Sequence, residues 1–198
     1  MEHFYQGLGE NWFTYSELYS KVVDKFPTNS HFVEVGVWKG MSAAYMAVEI
    51  INSGKNIKFD CVDNWEYIEL QKDIPKDMYD GLYETFLNNI EPVKHIINPI
   101  RELSWDAARH YEDNSLDFIF IDAGHDYDSI KKDITAWYPK LKTDGIIAGH
   151  DYSWDGITKA TNEYFKGKQF YHREACWVLR TSTSAELYDG NTHISTFE

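Results

Sequence analysis

Basic side chains are scarce in this chain: 19 Lys and Arg stand against 32 Asp and Glu, a formal net charge of −13. A protein that tracks nucleic-acid phosphates or an anionic bilayer needs a basic face, and no basic run supplies one. The sequence therefore excludes nucleic acid and membrane as expected partners. Cysteine is rarer still. Cys61 and Cys176 are too few for a disulfide framework, and both sit in strand-like runs that suit reduced thiols. Long hydrophobic runs are missing too; no stretch approaches the ~20 apolar residues of a membrane span. The N-terminal "MEHFYQGLGE" has neither the basic nor the apolar region of a signal peptide. These absences lead to the expectation of one soluble, cytoplasmic domain over residues 1–198. The oligomeric state stays open, a homo-oligomer included.

What the chain has in quantity is aromatic rings: 16% of residues, with seven Trp and 14 Tyr. Several fall in "NWFTYSELY" and "NWEYIELQ", which do not read as core. Such rings either line a cleft or anchor a small domain.

From residue 31 onward, strand-like and helix-like patterns alternate. Apolar, β-branched runs at 31–37, 57–63, 93–100, 115–122 and from Gly145 read as strands. Helical spacing is predicted over 40–54, 79–90, 104–112, 127–142 and the stretch "GITKATNEYFKG". The segments "QFYHRE" and "ACWVLRTS" pair as a terminal hairpin. Repeated strand–helix units imply an α/β fold: a doubly wound, mostly parallel, seven-stranded Rossmann-like sheet ending in an antiparallel hairpin. The core spans 31–182; residues 1–30 precede it as a candidate lid, and 183–198 form a peripheral tail. Residues 64–81 are a second candidate substrate loop.

One word is written twice, Ala-Gly-His-Asp-Tyr at 123–127 and again at 148–152. The flanks differ too much for an internal repeat. Each copy follows a predicted strand, and in doubly wound sheets ligands bind outside the carboxyl ends of the strands. The geometry then predicts that both copies face one crevice. Gly36 and Asp63 also end strands. "VEVGVWKGMS" is a strand, a glycine turn and a helix start, whose free N–H groups suit an anionic group. Its Gly-x-x-x-Gly spacing is not that of dinucleotide binders, so a carboxylate suits it better than a pyrophosphate. Ser42 could add a hydroxyl donor. Asp63 stands where nucleotide-binding sheets hold a ribose diol; the alternative is an ordinary strand-end aspartate turning the chain.

Glu34-x-Gly36-x-x-x-Gly40, Asp63 and Asp122 together resemble the class I S-adenosylmethionine-dependent methyltransferases, over roughly residues 30 to 165. The loop "EVGVWKGMS" is similar to that of catechol O-methyltransferase-like enzymes. The resemblance implies that Glu34, Gly36, Trp38 and Gly40 shape a methionine pocket and that Ser42 holds the methionine carboxylate. It places Ser104 and Trp105 near the adenine and counts Asp122 among the cofactor contacts. "DAGHDY" with the later "HDY" resembles the macrocin and mycinamicin sugar O-methyltransferases and the cephalosporin-hydroxylase-like proteins. By that likeness His125 is the general base, and Asp122 with the pair at 150–151 binds a divalent cation, Mg²⁺ or Mn²⁺.

This chain departs at His150, where the sugar enzymes carry an acid. His150 is either a nitrogen ligand that shifts metal preference away from Mg²⁺, or a hydrogen-bonding group at a site without metal. Asp126 and Asp128 are explained by the following helix, whose N-terminus they cap. Asp133 is expected on the solvated surface. The function expected is O-methylation of a small hydroxylated acceptor of sugar or natural-product type. The alternatives are a nucleotide-binding module without turnover and a nicotinamide-dependent oxidoreductase.

Overall fold

The structure is a computed structural model that describes residues 1–69, 74–173, 175–179, 181–185, 187 and 193–196. Residues 70–73 of the candidate loop 64–81, and most of the tail, therefore lie outside the described residues.

Five strands run parallel: β1 (His31–Val35), β2 (Lys58–Asp63), β3 (Ile97–Arg101), β4 (Leu116–Ile121) and β5 (Leu141–Gly149). Their near-continuous apolar runs, such as Phe118-Ile119-Phe120-Ile121, reflect burial on both faces. Then β6 (Gln169–Arg173) and β7 (Cys176–Leu179) form the expected antiparallel pair, β7 lying beside β5. The sheet gains one strand over the expected seven. β8 (His193–Thr196), drawn from the segment expected to be peripheral, pairs antiparallel with β6, giving the order β3-β2-β1-β4-β5-β7-β6-β8. The order reverses at β1, which neighbours both β2 and β4, so a crevice opens at the carboxyl ends of β1 and β4.

Helices cover both faces. On one side α1 (Ser16–Lys25), α2 (Met41–Ser53) and α3 (Leu82–Ile90) bury Tyr19, Met46 and Phe86 against Phe118 and Phe120. On the other, α5 (Tyr127–Trp137) and α6 (Asp155–Tyr164) bury Ile130, Ile134, Trp137 and Ile157. The short α4 (Ser104–Ala107) follows β3, and α7 (Ser182–Ala185) follows β7. Asp126 caps α5 as expected, its carboxylate accepting from the backbone N–H of Asp128 and Ser129 at 3.0 Å each.

Several boundaries move, among them two with a local cause. The helix expected to reach residue 142 ends at Trp137, because Pro139 has no N–H to continue the α-helical ladder and the chain tightens into a 3₁₀ turn over Tyr138–Lys140; β5 then begins at Leu141. β3 begins four residues later than expected because Glu91–Val93 close a 3₁₀ turn first. Both cysteines are buried free thiols. Among the described residues no helix is long and apolar enough to cross a membrane.

Candidate active site

A cavity of about 530 Å³ opens at the switch point, within the size range of small-molecule sites. Its floor is set by Gly36, whose φ is +84° and whose notional Cβ would stand 2.1 Å from the carbonyl oxygen of Asp122. No side chain fits there, so the loop after β1 lies directly on the exit of β4. Asp63 fixes that loop. One carboxylate oxygen accepts from the N–H of Val37 and Trp38 at 3.0 Å each, and the other from Trp65 at 2.8 Å. Trp38 and Asp151 both hold left-handed backbone, at φ of +49° and +54°, a strain that a packed surround must sustain.

Polar groups concentrate at the exits of β4 and β5. His125 Nε2 lies 3.1 Å from Asp151 Oδ2, and its ring lies over Trp154 at 4.9 Å. His150 Nδ1 lies 3.3 Å from Asp151 and 3.7 Å from Asp122, while its Nε2 meets the Thr14 hydroxyl at 3.0 Å. The Tyr15 hydroxyl donates to Asp122 at 2.8 Å. Burial pushes the Asp151 carboxyl up, but hydrogen bonds from His125 and His150 outweigh it and hold it well below the ordinary carboxylate range. Burial raises the Asp122 carboxyl despite the neighbouring His150. Burial lowers His150, yet Asp151 and Asp122 prevail and raise it. The ligand atoms of Asp122, His125 and Asp151 all lie within 4.8 Å of one another, a grouping able to hold a metal ion, with His125 in the place expected of His150.

Of the residues singled out in the sequence, Gly36, Trp38, Ser42, Asp63, Ser104, Trp105, Asp122, His125, His150 and Asp151 all line this one cavity. Both copies of the repeated word meet there. Glu34 and Gly40 stand behind the wall. Glu34 is buried, accepts the Ser42 hydroxyl, and has its carboxyl pushed up to about 8 by burial. Gly40 caps α2 at φ +84° with Phe86 and Ile90 against it. Residues Gly9–Tyr15, from the candidate lid, form another wall, tied down by Glu10 to Trp38 and Lys39 at 2.8 and 2.6 Å.

Asp133 corrects an expectation. It is not solvated surface; it is 1% exposed and lines the cavity from α5. Its place three residues after Ile130 was the signal, since that spacing puts it on the helix's buried stripe. Burial pushes its carboxyl up to about 7, against a hydrogen bond from Ser104. Its Oδ1, like the Ser129 hydroxyl one turn earlier, finds no hydrogen-bond partner among the described residues.

Comparison with known proteins agrees with this geometry. A family described as a methyltransferase domain matches residues 33–152. No curated protein matches the chain. Among solved structures, the O-methyltransferase NovP is similar over 83% of this chain and 78% of its own, at 16% identity and a TM-score of 0.66. The calicheamicin methyltransferase CalS11 is similar over 83% of this chain and 76% of its own, at 16% identity and a TM-score of 0.59. A Streptococcus mutans protein solved in complex with SAH is similar over 82% and 93%, at 9% identity and a TM-score of 0.57. At such identities the likeness is one of fold.

Proposed function

The chain belongs to the methyltransferase-domain family, and from that premise we propose that it methylates a hydroxyl of a small sugar-type or natural-product acceptor, using S-adenosylmethionine. The observation that carries this reading is the meeting, in one cavity, of the Gly36–Asp63 loop end with the His125–Asp151 pair. NovP and CalS11, named for O-methyl transfer and calicheamicin, give the acceptor class its direction.

The cavity's residues fit the methyl donor. The loop after β1 offers an approach that no Cβ obstructs, and the wall holds buried polar atoms lacking partners, Ser129 Oγ and Asp133 Oδ1. The carboxylate of Asp63 has about four acceptor positions; Val37, Trp38 and Trp65 take three and the Asn64 N–H faces the fourth, so its part toward the donor is to hold the loop after β1 in place. The donor supplies an electrophilic methyl on a cationic sulfonium, and the half-buried acids Asp63 and Asp122, both lining the cavity, suit that charge. Aligning the acceptor oxygen and removing its proton is then the protein's task. His125 accepts that proton, and Asp151, held ionised, orients the ring and stabilises the imidazolium. Residues 9–15 exclude water over the reacting atoms. Were the set Asp122, His125 and Asp151 to hold a divalent cation, its nitrogen would favour Mn²⁺ over Mg²⁺, the ion would ease deprotonation of the hydroxyl, and His125 would serve as ligand in place of base.

Calorimetry with S-adenosylmethionine and with NAD, each with Mg²⁺, Mn²⁺ or chelator, tests the reading. We expect binding of the first and none of the second. Replacing His125 by Ala should leave donor affinity within a few-fold and lower turnover by about 10²–10⁴. NAD binding, or no binding of S-adenosylmethionine, would refute the proposal.

A further inference from the structure

We propose that the acceptor is a neutral glycoside with a flat, apolar aglycone, and that the exposed side of Trp154 holds this aglycone at the cavity mouth while the sugar hydroxyl reaches His125. The inference rests on the function proposed above and narrows its substrate class.

An indole ring left in water forfeits the gain of burial, so folded chains hide most of the surface of their tryptophans. Trp65, Trp137 and Trp177 are 2% exposed or less. Trp12 and Trp154 are 49% and 46% exposed. The large apolar side chains exposed among the described residues also include Met1, Leu87 and Tyr164, but only these two tryptophans line the cavity. A ring that lines a cavity and still faces solvent stands at its mouth. Trp12 leans on Trp38, at 5.9 Å and 33°, beside the glycine loop. Trp154 leans on His125, at 4.9 Å and 32°. One side of its indole therefore covers the proposed base, and its exposure belongs to the side turned away. Backbone bonds fix it there: its N–H donates to the Asp151 carbonyl and its carbonyl accepts from the Thr158 N–H, both at 2.9 Å.

This placement divides an acceptor in two. Its hydroxyl must pass Trp154 to meet His125, and whatever the sugar is attached to stays outside, against the outer side of the indole. A flat apolar group is what such a surface holds, by offset stacking. Charge argues against the other common carrier of a sugar, a nucleoside diphosphate. Glu10, Asp63, Asp122, Asp133 and Asp151 line the cavity, whereas Lys39 is the one Lys or Arg among its described lining residues. Glu10 already holds Lys39 at 2.6 Å. A diphosphate would meet these acids without a guanidinium or ammonium to pair it, on a chain of net charge −13. The sugar is therefore methylated after a glycosyl transfer has joined it to its aglycone, and that class of reaction supplies the substrate.

The test is calorimetry on the full chain saturated with S-adenosylhomocysteine. The probes are naphthyl rhamnoside, methyl rhamnoside and thymidine-diphospho-rhamnose, with the corresponding glucose set beside them. For at least one sugar, the naphthyl glycoside should bind about tenfold more tightly than both the methyl glycoside and the nucleotide-linked form. Trp154→Ala should bring that preference below about threefold, and Trp154→Phe, which keeps a flat ring, should retain most of it. Thermal unfolding checks that the Ala variant folds; Trp154→Leu, apolar but not flat, gives the same readout if it does not. A merely structural role would weaken S-adenosylhomocysteine and glycoside together and would spare the preference. Three results overturn the inference while leaving the methyltransferase reading in place: tightest binding of the nucleotide-linked sugar, a preference that survives Trp154→Ala, or no glycoside bound by protein that holds S-adenosylhomocysteine. Failure of the unaltered protein to bind S-adenosylhomocysteine overturns both.

Discussion

Replacing Glu34 by Gln should make the protein more stable, and increasingly so as the pH rises from about 5 to 8. Glu34 is 1% exposed in the middle of β1, and burial lifts its carboxyl from an ordinary 4.5 to about 8. The native state thus holds a proton that the unfolded chain has already released at neutral pH. A group raised in this way contributes its full stability below the unfolded value and loses it as pH climbs to the folded one. The 3.5 decades between 4.5 and 8, at about 1.4 kcal/mol each, come to about 5 kcal/mol. Gln keeps the acceptor for the Ser42 hydroxyl and has nothing to titrate. Urea unfolding of both proteins at pH 5, 6.5, 8 and 9 should show the stability difference growing by several kcal/mol up to pH 8 and then levelling. Parallel curves, offset by a constant across that range, would mean that Glu34 ionises normally in the fold. The burial argument would then be wrong.

Two further changes test the frame of the site. Gly36→Ala forces a left-handed backbone on Ala, at about 1–2 kcal/mol, and drives a methyl into the Asp122 carbonyl. Thermal unfolding should show a loss larger than that, and calorimetry a loss of S-adenosylmethionine binding; a variant that binds normally contradicts the close approach. At the other end of the sheet, burial raises the Asp60 carboxyl, but hydrogen bonds from His31 at 2.7 Å, Asn98 at 2.9 Å and Tyr111 at 2.8 Å prevail and bring it down to about 2. Its contribution is present above the unfolded value of 3.8 and is lost as pH falls toward 2. Asp60→Asn should therefore cost about 2 kcal/mol at pH 7 and flatten that acid loss in denaturant titrations.

Much of the site was legible because local signals carried it. The uninterrupted apolar run of β4, the glycine after β1 and the twin His-Asp words at strand exits each follow from backbone requirements that short stretches express. Ser104 and Trp105, expected near an adenine from the family resemblance alone, both line the cavity. Asp133 was misread as surface because its charge outweighed its place on the buried stripe of α5. The segment holding Thr14 and Tyr15 reads as a candidate lid, but the contacts of its individual side chains are not visible in the sequence. These two reach His150 and Asp122 across 136 and 107 residues, and nothing in a local pattern encodes such a separation. The extra strand β8 was hidden for the same reason, since its partner β6 decides its pairing.

The clasp that Thr14 and Tyr15 make on His150 and Asp122 has a consequence for admission. Lifting that segment strips a partner from an interior imidazole and from an interior carboxylate at once. A visitor that brings hydroxyls can take over both vacated positions, whereas an oily one leaves them bare. On the proposed function, the two side chains bordering the reacting groups would then discriminate among visitors at entry, before any bond is made or broken.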